Sequence, residues 1–67
     1  MASAHAYYDE TMGKAEAQRL LSSLAAQLVQ KRPNGSMVYS VRGGGQALVA
    51  PAGARINVKL YRGECPC

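Results

Sequence analysis

The chain has 67 residues, with no tryptophan or phenylalanine, one histidine, two cysteines and four acidic residues. Without the largest aromatic side chains, its core must come from Leu, Val, Ile, Met and Tyr, which suits one small core. We therefore expect a single domain over residues 1–67. A chain of this size buries only about 60% of the surface that its unfolded form exposes, so we expect thin stability.

The scarcity of reactive side chains argues against catalysis and metal binding. Cys65 and Cys67 enclose only Pro66, so a disulfide between them would not cross-link separate parts of the fold. Together with His5 they offer one ligand fewer than a structural zinc site needs. His5 lies in an N-terminal segment without periodicity, whereas a general base must be held close to a defined proton. The sequence predicts a protein that is not an enzyme, with no catalytic residue, no metal and no cofactor.

Long apolar runs are also missing. No stretch approaches the roughly 18 residues of a membrane helix. The first dozen residues lack the charged start and leucine-rich stretch of a secretory signal. We therefore expect a cytoplasmic protein without membrane contact.

The N-terminal half has a helical pattern. Residues 1–10 form an expected flexible arm, and Thr11 is a suitable N-cap because its hydroxyl can accept a hydrogen bond from a first-turn amide. Apolar residues then recur every three or four positions, which predicts an amphipathic helix within residues 11–32. Pro33 disfavours helical backbone at Arg32 and should end it. The apolar stripe comprises Ala17, Leu20, Leu21, Leu24 and Leu28.

Beyond a turn at Pro33, Asn34 and Gly35, the apolar period changes to two. Strands are predicted at Met37–Arg42, Gln46–Ala50 and Ala54–Arg62, joined by turns at Gly43–Gly45 and Pro51–Gly53. The fold class expected is α+β, with one N-terminal amphipathic helix packed on a three-stranded antiparallel sheet over residues 36–62 (α-β-β-β). Residues 63–67 should form a loose tail.

The outer face of this sheet is the candidate site. Alternation in the last strand places Ile56, Val58 and Leu60 on the inner face and basic or polar groups on the other. Such a face could bind an acidic partner, or hold phosphates and stack one base. The alternative needs no ligand, because Lys and Arg also protect an exposed sheet from aggregation. The candidate partner-binding residues are Arg42, Arg55, Asn57, Lys59 and Tyr61.

The net charge of +4 favours encounters with acidic surfaces. We expect a small interaction protein that regulates or inhibits a larger protein partner, in the manner of phage or plasmid accessory inhibitors. The alternative is a nucleic-acid-binding protein that uses the basic sheet face. The predicted last strand is longer than its predicted neighbour, which leaves part of Lys59–Arg62 without a partner strand in the same chain. We therefore also expect a symmetric homodimer that pairs these overhangs.

Overall fold

The computed structural model describes residues 5–63 as one helix and a five-stranded antiparallel sheet. The strands lie side by side in the order β1-β5-β4-β3-β2. The predicted three-stranded sheet is therefore wrong, and the described part of the chain is mostly β. Its elements are β1 (Tyr8–Met12), α1 (Lys14–Ser23), β2 (Gln27–Lys31), β3 (Met37–Ser40), β4 (Gln46–Ala52) and β5 (Arg55–Tyr61).

The helix is shorter than the sequence pattern indicates. It ends at Ser23, and the amides of Ala25 and Ala26 donate to the carbonyls of Ser22 and Leu21. These two bonds form a Schellman motif, which usually has glycine in the left-handed position. Ala25 holds that position here, with φ at 53°. The chain then leaves the helix and enters β2, where strand pairing outweighs the helical propensity of residues 24–31.

The prediction of a flexible N-terminal arm is wrong for residues 8–10, because these residues belong to β1. This strand pairs with β5 in the register Tyr8 to Leu60 through Met12 to Ile56. Thr11 therefore lies in a strand, and Gly13 occupies the N-cap of α1 without a side-chain cap. Residues 1–4 of the predicted arm and residues 64–67 of the predicted tail, including Cys65 and Cys67, lie outside the described residues.

The predicted turns are mostly in place, although one joins different elements. The turn at Pro33–Gly35 connects β2 to β3 instead of a helix to a strand. Gly43 and Gly44 adopt φ of 92° and 93° in the β3–β4 turn, as expected for a glycine-rich hairpin. The last turn lies two residues later than predicted, at Gly53 and Ala54, because β4 continues to Ala52.

The core lies between α1 and one face of the sheet. Val58 and Ala47 are 0% exposed, and the predicted stripe residues Ala17, Leu20, Leu21 and Leu24 belong to the same cluster. Leu28, the fifth stripe residue, lies on β2 and is 44% exposed. The helix has ten residues, about half the length of a membrane-spanning helix. Within residues 5–63, no helix could cross a membrane.

Candidate functional site: the open face of the sheet

The side of the sheet away from α1 is called the open face. In an antiparallel sheet, residues directly opposite in register point to the same side, so the strand pairings define its members. They are Asp9 and Thr11 on β1, Arg55, Asn57, Lys59 and Tyr61 on β5, Gln46, Leu48, Ala50 and Ala52 on β4, Val38 and Ser40 on β3, and Gln27 and Gln30 on β2.

Four of the five predicted site residues form one row on the open face. Arg55, Asn57, Lys59 and Tyr61 alternate along β5, and the row is roughly 20 Å long at the usual rise of a strand. Because β5 lies between β1 and β4, the row runs inside the sheet and not along its edge. The structure therefore brings these residues together on a rigid element.

Asn57 is committed to contacts within the chain. Its Nδ2 atom donates to Oδ1 of Asp9 over 2.8 Å and lies 3.3 Å from Oγ1 of Thr11 and 3.5 Å from the carbonyl oxygen of Glu10. These contacts tie β1 to β5. Asn57 thus helps to position the basic row, and its amide nitrogen is less available to a partner than the sequence indicates.

Lys59 is the central cation of the row. It is half-buried and lies opposite Asp9 on one side and Leu48 on the other. Within residues 5–63, its ammonium makes neither a hydrogen bond nor an ion pair. A long lysine side chain can cover apolar surface with its methylenes while its charge stays in water. Among the described residues, Lys59 therefore presents a positive charge without a partner at the middle of the face.

Arg55 begins the row, and Arg42, the fifth predicted site residue, lies near its other end. Arg55 is exposed, and its Nη2 atom lies 3.4 Å from the carbonyl oxygen of Thr11. Arg42 is exposed in the β3–β4 turn, at the end of the sheet where Gln46 pairs with Tyr61. Its backbone amide donates to the Leu24 carbonyl at the end of α1 over 3.1 Å. Arg42 therefore flanks the row and is not part of it.

Tyr61 does not offer the stacking surface that the nucleic-acid interpretation requires. Its side chain is 8% exposed, so little of its ring can meet a base. The exposed aromatic ring in this region belongs to Tyr7, which is 54% exposed. The Arg62 guanidinium lies 5.1 Å from the centroid of that ring, within the range of a cation–π contact.

Sequence reasoning missed the residues that complete the face. Asp9 and Thr11 were assigned to an arm and a helix cap, because Tyr8–Met12 has three consecutive polar residues and no apolar alternation that would indicate a strand. Leu48 and Ala50 add half-exposed apolar surface beside the basic row. Many protein-binding surfaces have an apolar centre and a polar rim.

A groove lies on the other side of the sheet. It has a volume of about 220 Å³ and lies between α1 and strands β3 to β5. Its wall is mostly apolar and includes Leu21, Met37, Tyr39, Val49 and Ile56. Within residues 5–63, no three His, Cys, Asp or Glu side chains cluster.

Comparison of this chain with protein-family models, with curated protein sequences and with solved structures gave no match.

Proposed function

We propose that this chain is a small non-enzymatic interaction protein that regulates or inhibits a larger protein by binding an acidic surface through its open face. The observation that carries the proposal is the row on β5, where Arg55 and Lys59 stand beside half-exposed Leu48 and Ala50. The cations would steer and orient an acidic partner. The apolar groups would lose their contact with water on binding.

The balance of charge on the open face supports this proposal. Asp9 is its one acidic member, and its carboxylate accepts the Asn57 hydrogen bond. Arg55 and Lys59 outnumber it, and Arg42 adds a further cation at one end. A rigid antiparallel sheet holds the backbone of these residues in fixed relation, so the entropy lost on binding is confined to their side chains.

The burial of Tyr61 favours a protein over a nucleic acid as the ligand. Proteins that bind single strands without sequence preference stack bases on accessible aromatic rings. Tyr61, the aromatic ring of the row, is 8% exposed, and one face of the exposed Tyr7 ring already carries the Arg62 guanidinium at 5.1 Å. Contacts with phosphates alone would still be possible for Arg55 and Lys59. Their affinity would fall by orders of magnitude between about 50 and 200 mM salt when several phosphates are involved.

The test compares two double variants of equal charge. Arg55→Gln with Lys59→Gln removes two cations from the open face, and Lys14→Gln with Arg19→Gln removes two from exposed positions on α1. Glutamine avoids placing a second carboxylate opposite Asp9. Each protein is immobilised and exposed to extract of its source cells, with and without nuclease treatment, and the affinity of the captured protein is then measured.

The proposal predicts that the wild type and the helix variant retain the same protein, and that the open-face variant binds it at least about tenfold more weakly, as expected for loss of two interfacial charges. Equal affinity of both variants would remove the open face as the binding site. Capture that disappears with nuclease and falls steeply with salt would establish the nucleic-acid alternative instead.

A further inference from the structure

The outer edge of β2 is unlike the rest of the protein surface. All five residues of the strand are exposed, and on its outer side no strand of residues 5–63 pairs with it. Leu28 and Val29 are 44% and 57% exposed. An edge strand that displays adjacent apolar side chains is a ready template for pairing with another strand.

The homodimer predicted from the sequence cannot use the contact expected for it. The C-terminal part of β5 has neighbours on both sides, because Lys59 pairs with Asp9 and with Leu48, and Leu60 pairs with Tyr8 and with Ala47. No overhang is left at Lys59–Tyr61. A dimer that extends the sheet must therefore form at β1 or at β2.

We propose that a second copy of this chain pairs with β2 in antiparallel orientation and joins the two sheets into one of ten strands. This inference goes beyond the proposed function and does not depend on it. The central residues of β2, Gln27 to Gln30, read nearly the same in both directions. A two-fold axis between Leu28 and Val29 would place Leu28 opposite Val29 of the second copy and Gln27 opposite its Gln30.

Charge distinguishes β2 from the other edge. Self-pairing of β1 would bring Asp9 and Glu10 of the two copies together, and like charges directly opposite each other destabilise a sheet. The central four residues of β2 carry no charge. In the proposed register the two Lys31 side chains would be roughly 17 Å apart along the strands, which exceeds the screening length of about 8 Å at physiological salt.

The ladder within the chain supports the same contact. The register shifts between Leu28 and Gln30, so that Leu28 and Val29 together lie opposite Tyr39. This bulge keeps both apolar side chains near one another on the edge. Tyr39 and Leu21 line the adjacent groove, so the apolar surface continues from β2 toward α1. A second copy would cover Leu28 and Val29, which α1 leaves exposed.

The arrangement has a geometric consequence. A two-fold axis that pairs antiparallel strands in one sheet is perpendicular to that sheet, so both helices lie on one side and both open faces lie on the other. The dimer would thus present two basic rows in a single surface. A partner with two acidic patches would gain from binding both rows at once.

The register can be tested with two variants that complement each other. Leu28→Asp alone would bury two carboxylates at the contact, and Val29→Lys alone would bury two ammonium groups. Mixed one to one, they would place the carboxylate of one chain opposite the ammonium of the other and leave Leu28 opposite Val29 at the second position. The matched control is Ser23→Lys, an exposed position on α1.

Light scattering and analytical ultracentrifugation at tens to hundreds of micromolar provide the readout, with circular dichroism to show that each variant is folded. We expect the wild type and Ser23→Lys to have twice the mass of the 7.1 kDa chain. Each edge variant alone should dissociate at least about tenfold more readily, because unpaired charges at a buried contact are costly. The mixture should return to the dimer mass.

Three results would overturn the proposal. One is a wild-type mass of a single chain at the highest concentration. Another is a dimer that persists in both edge variants. The third is a mixture of two folded edge variants that stays monomeric while the wild type is dimeric, which would place the contact elsewhere or in a different register.

Discussion

Asn57 donates a hydrogen bond of 2.8 Å to Asp9, 48 residues earlier in the chain. Because the bond joins β5 to β1 on the open face, Asn57→Ala should lower the free energy of unfolding by about 1 kcal/mol. Denaturant titration measures this change, and a double-mutant cycle with Asp9→Ala should give a coupling of about 0.5–1.5 kcal/mol. The control is Glu10→Ala, at an exposed position on β1, for which we expect less than about 0.5 kcal/mol. Additive effects of Asn57→Ala and Asp9→Ala would show that the bond does not stabilise the sheet.

Gly45 is required by a close approach of backbone. A Cβ atom there would lie 2.6 Å from the Tyr61 carbonyl oxygen and 3.2 Å from Cγ2 of Val41, so Gly45→Ala should cost about 2 kcal/mol as β4 and β5 move apart. Gly13→Ala is the matched control, since its new Cβ would come no closer than 3.8 Å to Glu16. It should change stability by less than about 0.5 kcal/mol. Equal melting temperatures for the two variants would contradict the proximity of Gly45 to Tyr61.

Ala25 occupies a backbone conformation that favours glycine. Ala25 has φ at 53°, so Ala25→Gly should relieve backbone strain of about 1–2 kcal/mol in the folded state. Part of this gain is offset because glycine gives the unfolded chain more conformational freedom. We expect a net gain of about 0.5–1 kcal/mol in thermal or denaturant unfolding. Ala15→Gly, at an exposed position within α1, should instead destabilise by about 0.5–1 kcal/mol. A loss of stability in Ala25→Gly would show that Ala25 does not adopt the left-handed conformation at the end of α1.

Val58 is the largest side chain without any exposed surface in the described core. Val58→Ala removes two methyl groups from between the sheet and α1, and should lower the free energy of unfolding by about 2 kcal/mol. For a small domain this is a large share of the total. Chemical denaturation measures this loss of stability, and we expect the m-value to be the same as for the wild type. A loss below about 0.5 kcal/mol would mean that β5 does not lie at the centre of the core.

The C-terminal half of the fold could be predicted because its signals are local. Pro33 to Gly35 and the three consecutive glycines specify turns in any context, and Ile56, Val58 and Leu60 alternate without interruption. Residues 24–31 were misassigned because Leu24 and Leu28 fit the helical period. Gln27 to Lys31 become a strand only through pairing with β3. The strand at Tyr8–Met12 likewise depends on a partner more than 40 residues away.

The dependence on distant strand pairing also limited how much of the candidate site could be predicted from the sequence. Arg55, Asn57 and Lys59 could be placed on one face from their alternation alone. The use of Asn57 within the chain could not be foreseen, because Asp9 was not known to be its neighbour. Burial of Tyr61 is a property of the assembled sheet, and no pattern within β5 distinguishes Tyr61 from a solvent-exposed tyrosine.

The pairing of β1 with β5 also determines the order in which the chain can fold. The turns of the β2–β3–β4–β5 meander close short loops, whereas Thr11 meets Asn57 across 46 residues. Closing the longer loop carries a greater entropic cost, and non-local strand pairing slows folding in general. We infer that the meander forms first and that β1 docks last. Until then Met12 has no place in the core, and β5 is itself a free edge that another nascent chain could occupy.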